Sequence, residues 1–194
     1  MTKFAFIGAG SYGTAVAHHF ASREGYEVLL CGRDPDVVEE VNSRHLNSRY
    51  LCDIPLSPSL RATTEPEEAL DGADCFFMAV PAQSMRSVMG GIRESMHGNL
   101  TLISLAKGIE IDTRMRMSEV ISESVTGTGP RPEIMSLSGP SFARDVVDPD
   151  KSVALSLGGK SRHRLRWVRA LLHSRRFRVF GGKVLAGVEG GGGL

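Results

Sequence analysis

Three closely spaced glycines near the amino terminus constrain the fold more than any other feature of the sequence. Gly8, Gly10 and Gly13 lie between an apolar run, Phe4 to Ile7, and a stretch of helical periodicity that begins at Ser11. In a dinucleotide-binding unit the first glycine permits the tight turn, the second admits the pyrophosphate and the third lets the helix pack on the strand. Free amides at the helix start then bind the phosphate charge. The alternative is a glycine-rich turn without a ligand, and the strand and helix on either side favour the binding site.

Beyond this unit, apolar runs of strand length alternate with stretches of helical periodicity. The pattern predicts strands at 4–7, 26–31, 61–63, 75–80, 100–105, 134–137, 153–157 and 177–180, and helices at 11–23, 35–44, 65–70, 83–96, 113–125 and 161–173. An irregular loop is expected over 46–60. Strands separated by helices form a mainly parallel sheet with helices on both faces, and ligands bind at the carboxyl ends of its strands.

The sequence therefore predicts an α/β fold with a doubly wound, mainly parallel sheet (Rossmann-like) in a single domain. We place the dinucleotide-binding domain at residues 1–181. Residues 182–194 form either a glycine-rich tail or the start of a missing carboxyl-terminal helical domain. Four consecutive glycines, Gly190 to Gly193, each cost roughly 1 kcal/mol against alanine in a helix, so this segment is expected to be flexible rather than helical.

Composition narrows the class of protein. With 194 residues, 41% of them hydrophobic, the chain can bury one good core. No stretch is long enough to span a membrane, and nothing at the start resembles a secretory or transit signal, so we expect neither. Its three cysteines lack CxxC spacing, its six histidines lack metal-ligand spacing, and no GxSxG occurs, so a disulfide framework, a metal site and a serine hydrolase are not indicated. These features predict a reducing compartment, the cytoplasm.

A basic segment near the carboxyl terminus raises the question of nucleic acid. Residues 151–188 carry ten Lys or Arg, and the first acidic residue after them is Glu189. Several of these arginines are predicted on one helical face, opposite an apolar stripe: Arg162, Arg166, Arg169 and Arg176 against Leu165, Val168 and Leu172. We therefore interpret the segment as a solvated helix face and expect no nucleic-acid partner.

Three residues outside the glycine turn are candidates for ligand contacts. The second strand ends in Cys31-Gly32-Arg33, where NAD enzymes usually carry an acidic residue for the ribose, so Arg33 favours tolerance of NADP. Lys107 follows an apolar strand and can hold a phosphate or a substrate oxygen. Ser141, also after a strand, can cap the next helix. The alternatives are a surface arginine, a solvated lysine and an ordinary loop serine.

Taken together, five motifs resemble the NAD(P)-dependent glycerol-3-phosphate dehydrogenase family over nearly the whole chain. They are Gly8 to Ala15, Asn47 to Leu51 (NSRYL), Ala79 to Gln83 (AVPAQ), Lys107 to Glu110 (KGIE) and Leu137 to Ala143 (LSGPSFA). The last two in this order separate the family from other reductases that share only the glycines. The resemblance implies an enzyme that interconverts sn-glycerol 3-phosphate and dihydroxyacetone phosphate by hydride transfer, in phospholipid synthesis or redox balance.

The resemblance also implies roles for individual residues. The implied cofactor contacts, to NAD or NADP, are Gly8, Gly10, Ser11, Tyr12, Gly13, Arg33, Pro81, Lys107 and Ala143. The implied substrate contacts are Lys107, Gly139 and Ser141, and no metal is implied. The small-molecule substrate is the expected partner, and a homodimer stays open.

The carboxyl terminus departs from the family pattern. The family continues through a GVELGGALKN-like segment, whose lysine is the general acid/base, into an all-helical domain. Here Gly187-Val188-Glu189 matches the start, glycines follow, and that lysine would be the residue after Leu194. The resemblance thus implies that Lys107 is the remaining catalytic candidate and that the chain alone is catalytically incomplete. The rival interpretations are another reductase of this fold, acting on small carbonyls or imines, and a non-catalytic nucleotide-binding module.

Overall fold

A computed structural model describes residues 1–96, 100–127, 131–182 and 184–191. The strands are β1 Thr2–Ile7, β2 Tyr26–Cys31, β3 Leu60–Thr63, β4 Cys75–Met78, β5 Thr101–Ser104, β6 Glu133–Ser138, β7 Val153–Gly159 and β8 Phe177–Gly182. The α-helices are α1 Ser11–Ala21, α2 Pro35–Arg44, α3 Ser48–Leu51, α4 Pro66–Leu70, α5 Met85–Ile92, α6 Met117–Ser124, α7 Ala143–Val147, α8 Arg162–Leu172 and α9 Leu185–Gly191. Single 3₁₀ turns lie at Ala82–Ser84 and Arg93–Ser95.

All the described strands form one sheet, in the order β3-β2-β1-β4-β5-β6-β7-β8. The first six in chain order are parallel to one another, and this confirms the predicted doubly wound, Rossmann-like α/β architecture. In the register, Ile7 of β1 lies level with Cys31 of β2 and Met78 of β4, and Met78 lies level with Ser104 of β5. The loops that follow these strands therefore emerge side by side at one edge of the sheet.

The last two strands run the other way. β7 is antiparallel to β6, and β8 is parallel to β7. A parallel return needs a crossover that travels the length of the sheet. Helix α7 has only five residues, so the chain turns back at the carboxyl end of β6 instead. As a result, the loop between β6 and β7 stays beside the loops that follow β1, β4 and β5.

The sheet is apolar on both faces because helices cover both faces. Along β1, Phe4 and Phe6 pack into one core cluster, whereas Ala5 and Ile7 pack into the other. The Phe6 and Phe77 rings stack with their centroids 4.3 Å apart. The central strands therefore read as continuous hydrophobic runs, and the sequence pattern located them well.

Three helices lie outside the predicted helix ranges. Helix α3 occupies part of the expected irregular loop, α7 begins at the last residue of the LSGPSFA motif, and α9 runs through Gly190 and Gly191. The expectation that the glycine-rich segment is not helical is wrong as far as Gly191, and the rest of that segment lies outside the described residues. Ser141 does not cap α7, whose N-cap residue is Phe142.

Helix α9 is held by tertiary contacts rather than by helix propensity. Its Glu189 side chain is buried and accepts hydrogen bonds from the Ser118 amide at 2.7 Å and the Ser118 hydroxyl at 2.8 Å. The Arg116 guanidinium lies 3.2 Å from the same carboxylate. Leu185 is buried as well. Burial and a paired carboxylate at the start of α6 outweigh the conformational cost of the glycines.

The basic helix α8 matches its predicted pattern. Leu165, Val168 and Leu172 are buried, while Arg162, Arg166 and Arg169 are exposed. Arg176 lies beyond the end of the helix, where its guanidinium donates to the Lys151 carbonyl oxygen at 3.2 Å. Within the described part of the chain, no helix is long and apolar enough to cross a membrane.

Candidate functional site

The glycine turn after β1 is closed by close contacts between backbone atoms. Gly8 has φ of +115°, a region that favours glycine, and a Cβ there would lie 2.5 Å from the Ala79 carbonyl oxygen. A Cβ on Gly13 would lie 2.2 Å from the Gly8 carbonyl oxygen and 2.7 Å from the Ala79 Cβ. Neither position can hold a side chain. The first and third glycines therefore fix the turn against the end of β4.

The middle glycine faces open space. A Cβ on Gly10 would meet no atom within 4 Å, and Gly10 is the N-cap residue of α1. That helix starts with no acidic residue in its first turn and no side-chain cap. Its amino end thus combines unneutralised partial positive charge with room for a bulky anion. These features fit the pyrophosphate of NAD or NADP, which Gly10, Ser11 and Tyr12 would hold.

A buried asparagine supports the turn from behind. The Asn47 side-chain amide nitrogen donates to the Ala9 carbonyl oxygen at 3.0 Å and to the Thr14 hydroxyl at 2.9 Å. Asn47 is fully buried and begins the NSRYL motif. It thereby ties the glycine turn to the first turn of α1, from a position 33 residues beyond Thr14. The sequence identifies the motif but does not predict this structural role.

Hydrogen bonds join the loop after β6 to two other candidate segments. The Tyr12 hydroxyl lies 2.7 Å from the Ser141 Oγ, and the Lys107 ammonium donates to the Gly139 carbonyl oxygen at 3.2 Å. Burial raises the pKa of the Tyr12 phenol, and its hydrogen bond with Ser141 acts in the opposite direction. The phenol is therefore neutral at physiological pH. The candidate residues of the α1, β5 and β6 segments thus lie next to one another at this edge of the sheet.

The remaining candidates line the same edge. Arg33 is exposed just after β2, and Ala143, the first residue of α7, packs partly buried against the core. Pro81 is exposed and begins the 3₁₀ turn Ala82–Ser84, two residues beyond the Ala79 that closes the glycine turn. Asp34, the neighbour of Arg33, accepts from the Asp36 amide as the cap of α2 and pairs with Arg49. The structure records no direct contact that joins Arg33 or Pro81 to Lys107.

The loop that carries Lys107 is held by polar side chains that sequence reasoning passed over. The Gln83 side chain donates to the Ile109 carbonyl oxygen at 2.8 Å and accepts from the Ile111 amide at 3.0 Å. Arg86 binds Glu110 with two parallel hydrogen bonds, at 2.9 and 2.8 Å. Both Gln83 and Glu110 lie in motifs that carry the family resemblance, and this was the signal available in the sequence, because the burial of Glu110 is visible only in the structure.

Electrostatics at this loop follow from the pairing. Hydrogen bonds from Arg86 and then from Thr113 lower the pKa of Glu110 to about 2. The same pairing raises the pKa of the Arg86 guanidinium, with Glu110 the larger contributor and Glu123 the second. Glu110 therefore stays ionised throughout the physiological range. Elsewhere, no group of three or more His, Cys, Asp or Glu in the described ranges is arranged to hold a metal ion.

The chain matches a known family over most of its length. The model described as the amino terminus of NAD-dependent glycerol-3-phosphate dehydrogenase matches residues 3–160. A glycerol-3-phosphate dehydrogenase [NAD(P)+] of Corynebacterium urealyticum is 40% identical over 189 residues, which are 97% of this chain and 56% of that protein. The enzyme of the same name from Thermobifida fusca is 40% identical over 192 residues, 99% of this chain and 56% of that protein. This chain thus spans a little over half the length of these relatives.

Solved structures show the same similarity. The crystal structure of glycerol-3-phosphate dehydrogenase from Coxiella burnetii superposes with a TM-score of 0.87 at 27% identity, over 97% of this chain and 56% of that one. A pyrroline-5-carboxylate reductase from the same organism gives a TM-score of 0.69 at 14% identity, over 98% of this chain and 64% of that one. The second similarity shows a shared fold alone.

Motifs, fold and relatives agree on the class of protein and of cofactor. The glycine turn and the open start of α1 fit a dinucleotide, and the matching relatives are named as NAD(P)+ dehydrogenases. The chain belongs to the NAD(P)-dependent glycerol-3-phosphate dehydrogenase family, of which it represents the amino-terminal NAD- or NADP-binding domain.

Proposed function

We propose that this chain binds NAD(H) or NADP(H) at the glycine turn as part of an enzyme that interconverts sn-glycerol 3-phosphate and dihydroxyacetone phosphate. In that role it would supply phospholipid synthesis from the cytoplasm. The observation that carries the proposal is the contrast within the turn: Gly8 and Gly13 are closed by backbone atoms, whereas Gly10 and the start of α1 are open. Such a turn is shaped for a ligand rather than for packing alone.

Individual residues take roles that follow from their positions. Gly10, Ser11 and Tyr12 hold the pyrophosphate, and Arg33 takes the adenosine end at the close of β2. Pro81 and Ala143 border the cofactor at the ends of β4 and β6. The cofactor itself supplies or accepts the hydride. The protein orients it and excludes water from its surroundings.

Lys107 and the loop after β6 form the substrate side of this proposal. The Lys107 ammonium donates to the Gly139 carbonyl oxygen, so it faces the loop that also holds Ser141. A cation at this place can hold a phosphate or a carbonyl oxygen on which negative charge develops. Gly139 and Ser141 offer backbone and hydroxyl groups that fix the orientation of a small polar substrate.

We further propose that the residues needed to complete the reaction lie in the part of the relatives that this chain does not match. Reduction of a carbonyl needs a proton at the oxygen as well as a hydride at the carbon. Because Lys107 is already assigned to binding, the acid must come from elsewhere. General acid catalysis contributes typically about 10² to 10⁴ in rate, and lost orientation removes more.

Calorimetric titration of the chain with NADH and NADPH tests the binding proposal. We expect saturable binding of at least one dinucleotide at or below millimolar concentration. A chain that shows folded α/β circular dichroism and binds neither would contradict the proposal. If the chain binds either dinucleotide, but a version extended by the part of the relatives that it does not match fails to reduce dihydroxyacetone phosphate, the nucleotide-binding module would be favoured instead.

A kinetic experiment tests the role of Lys107 and the catalytic incompleteness. The chain is mixed with NADH and dihydroxyacetone phosphate, and the absorbance of the reduced cofactor is followed, with Lys107→Ala as the control. We expect no turnover at an enzymatic rate. Turnover near the lower end of ordinary enzymes, about 1 per second, that the control abolishes would show that Lys107 suffices as the acid.

A further inference from the structure

The segment next to Lys107 is fixed on both sides by the turn that follows β4. Gln83 binds it like an added strand, because its amide nitrogen donates to the Ile109 carbonyl oxygen at 2.8 Å and its amide oxygen accepts from the Ile111 amide at 3.0 Å. These two bonds fix the backbone on either side of Glu110. A side-chain amide that uses both its ends on one short segment restricts the backbone of that segment strongly.

An ion pair fixes the residue between these two bonds. Arg86, on α5, binds both carboxylate oxygens of Glu110, at 2.9 and 2.8 Å. The Thr113 hydroxyl donates to the same carboxylate at 2.5 Å. Glu110 is only 8% exposed, so its charge requires this pairing. A parallel two-bond contact between arginine and carboxylate also fixes direction, which a single ion pair does not.

The lysine itself has no such restraint along its own stem. Lys107 is exposed, and its ammonium lies 3.2 Å from the Gly139 carbonyl oxygen. A four-carbon stem has several rotatable bonds, so the position of the ammonium depends on where the backbone of its loop is held. Gln83, which lies just after Pro81, holds that backbone at Ile109 and Ile111, two and four residues beyond Lys107.

We propose that Gln83 and the Arg86–Glu110 pair are positioning residues that fix Lys107 relative to the loops after β4 and β6, and thereby set the affinity for the dinucleotide. This inference rests on the proposed role of Lys107 as a cofactor contact. It gives the polar residues of the AVPAQ and KGIE motifs a joint function. A preorganised loop lowers the ordering cost of binding, because less freedom is lost when the ligand arrives.

The structure offers a matched pair of variants. Arg86 also binds Glu123, at 2.8 Å. Glu123 lies on α6, outside the loop that carries Lys107 and Glu110, which we call the lysine loop. Glu110→Gln and Glu123→Gln each remove one carboxylate from the same guanidinium, but only the first loosens the loop. Gln83→Leu removes the two backbone bonds without changing any charge. It therefore serves as an independent variant if Glu110→Gln fails to fold.

The experiment is a double-mutant cycle on NADH affinity, read from the fluorescence of the bound cofactor. Each variant is made in the wild-type chain and in Lys107→Ala, and folding is checked by thermal unfolding. We expect Glu110→Gln and Gln83→Leu to weaken binding by roughly 3- to 30-fold in the wild-type chain and by less than about 2-fold in Lys107→Ala. Glu123→Gln should change affinity by less than about 2-fold in either background.

Two results would overturn the inference, and each differs from a failure of the proposed function. Equal losses in both backgrounds would assign Gln83 and Glu110 a merely structural role. A loss in Glu123→Gln equal to that in Glu110→Gln would trace the effect to the charge balance of Arg86. If the wild-type chain binds no dinucleotide, or if Lys107→Ala binds NADH as well as the wild type, the proposed function or the role of Lys107 fails, and the inference with it.

Discussion

The glycine turn and the lysine loop lie at the same edge of the sheet but are held by opposite means. In the glycine turn, missing side chains let backbone atoms approach, and added Cβ atoms on Gly8 and Gly13 would overlap the backbone. In the lysine loop, polar side chains hold the backbone in place. Gln83 binds the backbone of the loop, and Glu110 binds the Arg86 guanidinium. The glycine turn is shaped by the absence of side chains, and the lysine loop by hydrogen bonds and ion pairs.

This difference teaches how each segment should respond to change. A steric contact has no gradual weakening, since a methyl group either fits or does not. A polar contact can be weakened in steps, by removing one bond, one charge or one proton. Substitutions in the glycine turn should therefore either lower the stability of the fold strongly or leave it unchanged. Substitutions around the lysine loop should have intermediate effects that depend on how many bonds are removed.

The sharpest test of the steric side is Gly13→Ala. Its Cβ would lie 2.2 Å from the Gly8 carbonyl oxygen, so we expect a loss of about 3 kcal/mol or more in the free energy of unfolding, measured by urea denaturation. Gly10→Ala is the matched control, because its Cβ meets nothing within 4 Å. It should change stability by less than about 0.5 kcal/mol while it weakens NADH binding. Similar stability for both variants would break the comparison.

Asn47→Ala tests the one polar support described behind the glycine turn. It leaves the Ala9 carbonyl oxygen and the Thr14 hydroxyl without their buried donor, so we expect a loss of about 1 to 3 kcal/mol in stability, together with weaker NADH binding. Asn42→Ala is the control, since the Asn42 amide binds Ala62 on β3 instead. It should cost stability without loss of affinity. Equal affinity losses would mean that the effect is not local to the turn.

Arg33→Asp tests whether a positive charge contributes to cofactor binding at the adenosine end of the proposed site. Replacing this exposed cation with a carboxylate should weaken NADPH more than NADH, by about 1 to 3 kcal/mol in binding free energy, on the scale of one charge-assisted bond. Arg61→Asp, at an exposed position of β3, controls for the change in overall charge. Equal losses for both cofactors would assign Arg33 to stacking on adenine or to support of the fold.

The smallest effect is expected when the pH is lowered and Glu110 becomes protonated. Arg86 and Thr113 hold the pKa of Glu110 at about 2, below its unfolded value near 4.5. The stabilisation from Glu110 is therefore complete above pH 4.5 and is lost as the pH falls toward 2. Thermal unfolding across this range should show a shallower decline for Glu110→Gln than for the wild type. If Glu123→Gln makes the decline in thermal stability equally shallow, the pH dependence belongs to both ion pairs of Arg86 and not to Glu110 in particular.

The sequence predicted best what depends on local pattern. Strand β2 and helix α2 begin and end at the predicted residues, because an apolar run and an Asp-Pro start signal are contained in their own segments. The position of the glycine turn was predicted for the same reason. Locating the glycine turn therefore required no knowledge of distant contacts, and its role in dinucleotide binding stays a prediction.

What the sequence did not predict depends on distant partners. Helix α9 forms against its glycine content because Glu189 meets Ser118 on another helix, 71 residues earlier. Ser141 binds Tyr12 instead of capping α7. The roles of Asn47 and Gln83 stayed hidden in the same way, since each residue acts on a segment that local periodicity cannot link to it. Tertiary contacts override helix propensity in such places.

The hydrogen bond between Tyr12 and Ser141 also has a consequence for folding during synthesis on the ribosome. It joins residues 129 positions apart in the chain. A ribosome that adds about 5 to 20 residues per second needs on the order of ten seconds to make that interval. During that interval the Tyr12 hydroxyl lacks its partner, because the loop after β6 has not yet been synthesised.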